Sequence, residues 1–247
     1  MLSACAAVTP IPLWPRNASL NNDIDPMSEP VAFRATPCRS VYRRGGKRGF
    51  DLVAGVILLA AALVPLLVLC ILTMVFDRHA PIFRQVRVGR DARPFRILKL
   101  RTMRRDRAVV EAGFEAGKTT RVTRWGQWLR SSKLDELPQL FNVLLGDMSL
   151  VGPRPEVPQW VRCWPKRWGY VLTVRPGLTD RASLTFKDEG RLLAAAPDAD
   201  RHYREVVLPR KLTLYEEYVA GLTFAGDLRL LMRTVLVAFG QLAPERE

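Results

Sequence analysis

The sequence predicts a helix-rich α+β protein held at a membrane. Three observations carry that expectation. From Leu52 to Phe76 no residue is charged. Between Ile82 and Leu100 apolar and basic residues alternate as in strands, and beyond Leu134 leucines and tryptophans recur at helical spacing. With 247 residues, 48% of them hydrophobic, the chain can bury one sizeable core but hardly two.

Composition narrows the chemistry. The net charge of +14, from 38 Lys and Arg against 24 Asp and Glu, implies an anionic partner: nucleic acid, anionic lipid head groups or phosphorylated substrates. No recognisable nucleic-acid module accompanies it. Cys5, Cys38, Cys70 and Cys163 lack the spacing of a disulfide framework or a zinc site. With His79 and His202 as the only histidines, a Ser–His or His-based metal mechanism has almost no material.

Along the chain, residues 1–42 contain Pro, Asn and Asp without a sustained period and read as a flexible tail. "LSAC" near the start lacks the basic and apolar segments that precede a lipoprotein cleavage site. Residues 43–78 form a basic flank and a membrane helix. The uncharged stretch from Leu52 to Phe76 would measure roughly 37 Å as a straight helix, against a hydrocarbon core of about 30 Å. Pro65 at its middle removes a backbone hydrogen bond. Basic residues stand on both sides, Arg43 to Arg48 before and Arg78, Arg84, Arg87 and Arg90 after. Two arrangements are open: a Pro-kinked span, or a helix that enters, breaks at Pro65 and returns in arms of roughly 18 Å. Only the second keeps both basic flanks on the cytoplasmic side.

Next come short strands carrying Ile82, Val86 and Val88, then Phe95, Ile97 and Leu100, around a "GRDARP" turn. Leu137, Leu140, Phe141, Leu144 and Leu145 fall on one face of a helix, with Asp135 as its cap and Gly146 as its end. Trp160, Trp164 and Trp168, spaced by four among Arg162, Lys166 and Arg167, suit either an interfacial helix or a Trp-rich core face. A last amphipathic helix, "GDLRLLMRTVLVAFG", has Asp227 as a candidate cap.

The segment "SSKLDELPQL" sets two carboxylates, Asp135 and Glu136, in this basic chain. At a helix N-terminus, beside Arg130 and Lys133, both are expected to stay ionised. An ionised Asp is a competent nucleophile toward phosphorus, and its neighbour could help hold Mg²⁺ with substrate phosphate oxygens. Acidic residues in a first helical turn are also common for the dipole alone. Lys99, Arg101, Arg130, Arg154 and Arg175 are available to stabilise charge on a transferring phosphoryl group. Arg154 and Arg175 lie in the proline-framed strings "GPRPE" and "RPGLT".

"KRGFD", "FRQVRVGRDARPFRILKLRTM", "LDELPQLFNVLLGDMSLVGPRPE" and "RPGLT" together resemble the bacterial sugar transferases called monotopic phosphoglycosyl transferases. The likeness runs from Lys47 to past Leu178 and weakens toward the C-terminus. It implies transfer of a phosphosugar from a nucleotide-diphosphate sugar, usually UDP-linked, to undecaprenyl phosphate. It also implies a re-entrant membrane helix broken at Pro65, and a cytoplasmic catalytic domain over residues 79–247 with interfacial amphipathic helices. The implied location is the cytoplasmic face of the bacterial inner membrane, and the implied pathway is exopolysaccharide or other glycoconjugate synthesis. By the same resemblance Asp135 is the nucleophile that carries the phosphosugar covalently. Glu136 assists with Mg²⁺, and Lys99, Arg130, Arg154 and Arg175 match basic motif positions.

Three departures stand out. Val64 occupies the place of a frequent Ser before the central Pro, Val86 that of a frequent Glu, and "GLTDRASLTF" replaces the commoner Gly-Leu-Ala continuation. The sugar therefore cannot be inferred from the family's best-known members. The expected partners are a nucleotide sugar, undecaprenyl phosphate and membrane lipids, without nucleic acid; a homo-oligomer is left open. The rival readings are a non-catalytic basic membrane-tethered scaffold and a nucleic-acid-binding protein.

Overall fold

The computed structural model describes residues 42–104, 122–186, 189–238 and 241. The expected tail therefore lies, but for Tyr42, outside the described residues.

Helix α1 spans Lys47–Asp77, 31 residues, and is long and apolar enough to cross a membrane. The expected break at Pro65 is absent: the helix runs on both sides of the proline. Proline removes one N–H, and the remaining i→i−4 bonds carry the helix past it. Arg78, in the left-handed region at φ 53°, ends it by donating to the Met74 carbonyl.

One side of α1 packs inward. Phe50, Ala54, Leu59 and Ala62 meet a core of Ile97, Leu140, Val143, Met148, Leu150 and Val151. Leu66, Leu69 and Cys70 meet Leu100, Leu129 and Trp125. The other side, including Val53, Ile57, Val64, Val68, Ile71 and Val75, is exposed.

The "KRGFD" string explains why α1 docks. Lys47 Nζ donates to the Val151 carbonyl at 2.9 Å and to Asp227 at 2.5 Å. Arg48 donates to the carbonyls of Val143 and Leu144. The buried Asp51 accepts from Ser149 Oγ and from the Leu150 N–H. At the far end Trp125 Nε1 donates to Thr73 Oγ1 at 3.0 Å, and Thr123 Oγ1 to Asp77. Both ends of the apolar helix are thus fastened to one domain.

Strands β1 (Ile82–Val88) and β2 (Pro94–Leu100) pair antiparallel, from Ile82 opposite Leu100 to Val88 opposite Pro94, as the alternation predicts. Helix α2 (Arg124–Ser131) is capped by the Thr123 hydroxyl. A 3₁₀ turn, Leu134–Glu136, leads into α3 (Gln139–Leu145). Gly146 at φ 94° ends α3 as expected, but Asp135 does not cap it. Lys133, left-handed at φ 60°, turns the chain early, so Asp135 sits in the 3₁₀ turn before the helix. The apolar face is also shifted: Gln139, Leu140, Asn142 and Val143 are buried, whereas Phe141 and Leu145 are exposed.

Strands β3 (Ser149–Val151) and β4 (Gly177–Thr179) pair parallel. Gly152 and Gly177 lie back to back, and a Cβ on Gly177 would meet Gly152 N at 2.1 Å. This contact locks the "GPRPE" and "RPGLT" turns together.

The tryptophans divide between α4 (Pro158–Cys163) and α5 (Pro165–Val171), because Pro165 starts a new helix. Trp160 and Trp168 are core residues and Trp164 packs against them, so the stripe is a core face and not a membrane surface. Short helices α6 (Arg181–Thr185), α7 (Glu189–Ala194) and α8 (Ala199–His202) and a π-helical turn follow, leading to α9 (Leu208–Ala220). Helix α10 (Phe224–Ala238) begins three residues before Asp227, and the Thr223 hydroxyl accepts from the Gly226 N–H at its start. Asp227 is not a cap: it is fully buried and accepts from Lys47, Tyr42 and Tyr218.

Candidate active site

The site forms where the end of β2, the 3₁₀ turn and the "GPRPE" turn converge. Glu136 is its electrostatic centre. Lys99 Nζ donates to Glu136 Oε1 at 3.0 Å, and Arg154 forms a two-pronged contact, one prong being NH1 to Oε2 at 3.3 Å. The Arg154 guanidinium and the Lys99 ammonium outweigh the cost of burial and hold the Glu136 carboxyl well below the usual range. Arg154 is pushed well above its usual value, chiefly by the Glu136 charge. Burial lowers Lys99, against the pull of Glu136.

Asp135 differs from its neighbour. It is 7% exposed, yet among the described residues its carboxylate accepts no hydrogen bond and forms no ion pair. Burial raises its pKa, and the Glu136 charge adds to the rise; Lys99, Arg130 and Arg154 oppose it. Asp135 stands in the 3₁₀ turn ahead of the helix and not as its cap, and its shift is upward, opposite to the one that a helix terminus would give.

Arg130 belongs to the same cluster. Its Nε donates to Thr102 Oγ1 at 2.9 Å, and its charge acts on Asp135. A Cβ on Gly126 would lie 2.1 Å from the Thr102 carbonyl oxygen, so a glycine is needed for α2 to approach this strand end. Arg101 and Arg175 point elsewhere. Arg101 donates to the carbonyls of Ala80 and Ile82, strapping the hairpin to the exit of α1. Arg175 Nε donates to the Gly146 carbonyl, and the charges that act on it are Arg90, Arg48, Asp51 and Asp91.

Sequence reasoning missed the support behind Arg154. Glu156, buried, accepts from Arg87 NH1 at 3.0 Å, from Tyr203 Oη at 2.7 Å and from the Val157 N–H. Lys211 links the same cluster to Glu189 at 2.9 Å. The available signal was the acid that closes "GPRPE".

A Mg²⁺ ion uses one or two carboxylates and completes its shell with water and substrate phosphates; Asp135 and Glu136 adjoin in the chain, and among the described residues no group of three or more His, Cys, Asp or Glu could hold a metal ion.

A largely exposed apolar helix, long enough to cross a membrane, is thus docked on a domain in which the charges of Lys99, Arg130 and Arg154 act on the buried Asp135. The profile of one family, described as bacterial sugar transferase, matches residues 42–241, and the chain belongs to that family. It is 37% identical over 202 residues to an undecaprenyl-phosphate glucose phosphotransferase of Komagataeibacter xylinus, covering 76% of this chain and 35% of that one. It is 38% identical over 194 residues to a UDP-glucose:undecaprenyl-phosphate glucose-1-phosphate transferase of Caulobacter vibrioides, covering 76% of this chain and 68% of that one. An uncharacterized sugar transferase of Bacillus subtilis is 32% identical over 197 residues, with 78% and 89% covered. The chain thus spans about a third of the first of these relatives and most of the last.

Proposed function

We propose that this protein transfers a phosphosugar from a UDP-linked sugar to undecaprenyl phosphate through a covalent intermediate on Asp135. The observation that carries the reading is the contrast within the carboxylate pair: Glu136 is neutralised by Lys99 and Arg154, while Asp135 beside it has no hydrogen-bond or ion-pair partner among the described residues. A carboxylate with free lone pairs, desolvated among cations, is placed to attack phosphorus. The relatives named for UDP-sugars and undecaprenyl phosphate support the substrate classes.

In the first step an Asp135 carboxylate oxygen attacks the sugar-bearing phosphorus. A P–O bond to the carboxylate forms, the P–O bond to the bridging oxygen breaks, and its electron pair leaves on uridine monophosphate. In the second step an oxygen of undecaprenyl phosphate attacks the same phosphorus. The Asp135–phosphorus bond breaks, the carboxylate is restored, and the lipid leaves as a sugar diphosphate. Lys99, Arg130 and Arg154 offset the negative charge on the transferring phosphoryl oxygens. Glu136 and Asp135 would be the residues to hold a Mg²⁺ ion, which would supply further charge neutralisation.

The protein works from one membrane surface. Asp51 and Thr73 are both fastened to the globular domain, and about 33 Å of helix separates them, close to the hydrocarbon thickness. If α1 crossed the bilayer, that domain and its buried charges would have to accompany it through lipid. Helix α1 therefore enters the bilayer without crossing, with its exposed side toward acyl chains. Residues 79–247 lie at the cytoplasmic face of the inner membrane.

The test is mass spectrometry of enzyme quenched with UDP-glucose, UDP-galactose or UDP-N-acetylgalactosamine and no acceptor. A phosphosugar adduct on the Asp135 peptide, absent from Asp135→Asn, is expected. Sustained transfer by Asp135→Asn, with reversion to Asp excluded, would refute the mechanism.

A further inference from the structure

Pro153 and Pro155 flank Arg154 and bring no N–H of their own, so the turn that carries it is held through its carbonyls. From one side the Gly177 N–H donates to the Pro153 carbonyl at 2.9 Å. From the other, β1 grips the next two residues. Arg87 NH1 donates to the Pro155 carbonyl at 3.3 Å and to Glu156 Oε1 at 3.0 Å, and the Val88 N–H donates to the Glu156 carbonyl at 3.0 Å.

This grip depends on Glu156, a buried carboxylate, which is costly unless its charge and lone pairs are met. Burial pushes Glu156 up, but the charges of Arg87 and Lys211 and the Tyr203 hydroxyl hold its carboxyl below the usual range. Tyr203 Oη donates to Glu156 Oε2 at 2.7 Å, and Lys211 Nζ donates to that hydroxyl at 3.4 Å. Burial lowers Arg87 while Glu156 supports it, and the charges of Arg154 and Glu136 act on it as well. Glu156 thus gives Arg87 a carboxylate of its own and leaves Glu136 to Lys99 and Arg154. The transfer steps proposed above use neither Arg87 nor Glu156.

We propose that Arg87 and Glu156 are positioning residues for Arg154, an inference that rests on the role proposed for Arg154 at the transferring phosphoryl group. They fix the turn, and the turn fixes the guanidinium that meets Glu136 and the phosphoryl oxygens. A cation held in place in advance needs no reorganisation when charge develops, and a misplacement of about 1 Å can cost on the order of a hundredfold in rate.

Glu156→Gln keeps the shape and gives up the charge that holds Arg87. It should slow uridine monophosphate release in the first half-reaction about tenfold or more, with KM for the UDP-sugar little changed. Tyr203→Phe removes only one hydroxyl from Glu156, should slow release about two- to tenfold, and carries the test should Glu156→Gln not fold. The deciding measurement repeats both substitutions in an Arg154→Ala background, with UDP-glucose, UDP-galactose or UDP-N-acetylgalactosamine as donor. Residues that act through Arg154 have nothing left to position there, so each should change the remaining rate less than about twofold. The same slowing with and without Arg154 would mean a merely structural role and would overturn the proposal. Wild-type rates for Glu156→Gln and Tyr203→Phe, beside a slow Arg154→Ala, would overturn it alone. A wild-type rate for Arg154→Ala would instead sink the role given to Arg154, and this inference with it.

Discussion

Replacing Glu136 with Gln removes one negative charge from between two cations. At the 3.0 Å Lys99–Glu136 separation and an effective dielectric of about 20, the attraction is about 5.5 kcal/mol before desolvation. Arg154 adds a second contact, and the side chains of Glu136, Lys99 and Arg154 are 12%, 20% and 27% exposed. Removing one partner from such a cluster leaves the cations uncompensated and costs about 3–5 kcal/mol. For a domain of this size that is a fall of roughly 6–20 °C in melting temperature. The loss should also depend on pH. The Glu136 carboxyl is depressed in the folded state, so its stabilisation is fully present above the ordinary carboxylate range and is lost as pH falls through and below it. Melting temperatures of wild type and Glu136→Gln in detergent should therefore differ most near neutrality and converge on acidification. A difference under about 2 °C at pH 7 would show that these pairs contribute no more than exposed ones, and the account of the site's electrostatics would fail.

Asp135 is raised by burial, so activity should fall on acidification at a pH above that of an ordinary aspartate, as read from the pH profile of uridine monophosphate release. Lys99→Ala and Arg154→Ala should each slow transfer about ten- to a hundredfold, the worth of a charge-assisted hydrogen bond; rates within twofold of wild type would place them outside the site. Asp227→Ala removes the counter-ion of Lys47 and an acceptor of Tyr42 and Tyr218, leaving the Val151 carbonyl to Lys47 and Tyr218, and should cost about 3–5 kcal/mol, checked by thermal unfolding. Cysteines at Gly45 and His79, exposed beyond the two ends of α1, should both be protected from an impermeant reagent in intact cells; labelling of one alone would establish a span.

The hairpin was legible because β1 and β2 alternate and "GRDARP" supplies a turn whose Asp91 and Ala92 take positive φ. Gly146 was legible because a left-handed residue must end α3. Of the candidate residues, Asp135, Glu136, Lys99, Arg130 and Arg154 come together in the fold, and their motif strings were legible in the sequence. What stayed hidden depends on partners distant in sequence. Arg101 and Arg175 carry the same charge as Arg154, but only the tertiary fold sends them to backbone carbonyls. Periodicity joined Trp160 and Trp168 into one stripe, whereas Pro165 divides their helix and the core claims both. Asp227 looked like a cap because nothing local reveals that Lys47, 180 positions earlier, is its counter-ion.

Fastening at both ends makes α1 a ruler. Each residue of an α-helix advances about 1.5 Å and turns about 100°. One residue inserted between Asp51 and Thr73 would swing one fastening about a quarter-turn from its partner on the domain and turn apolar side chains from lipid toward polar groups. The helix can therefore drift freely in composition on its lipid side but hardly at all in length. Its length fixes the span over which Asp51 must reach Ser149 while Thr73 reaches Trp125.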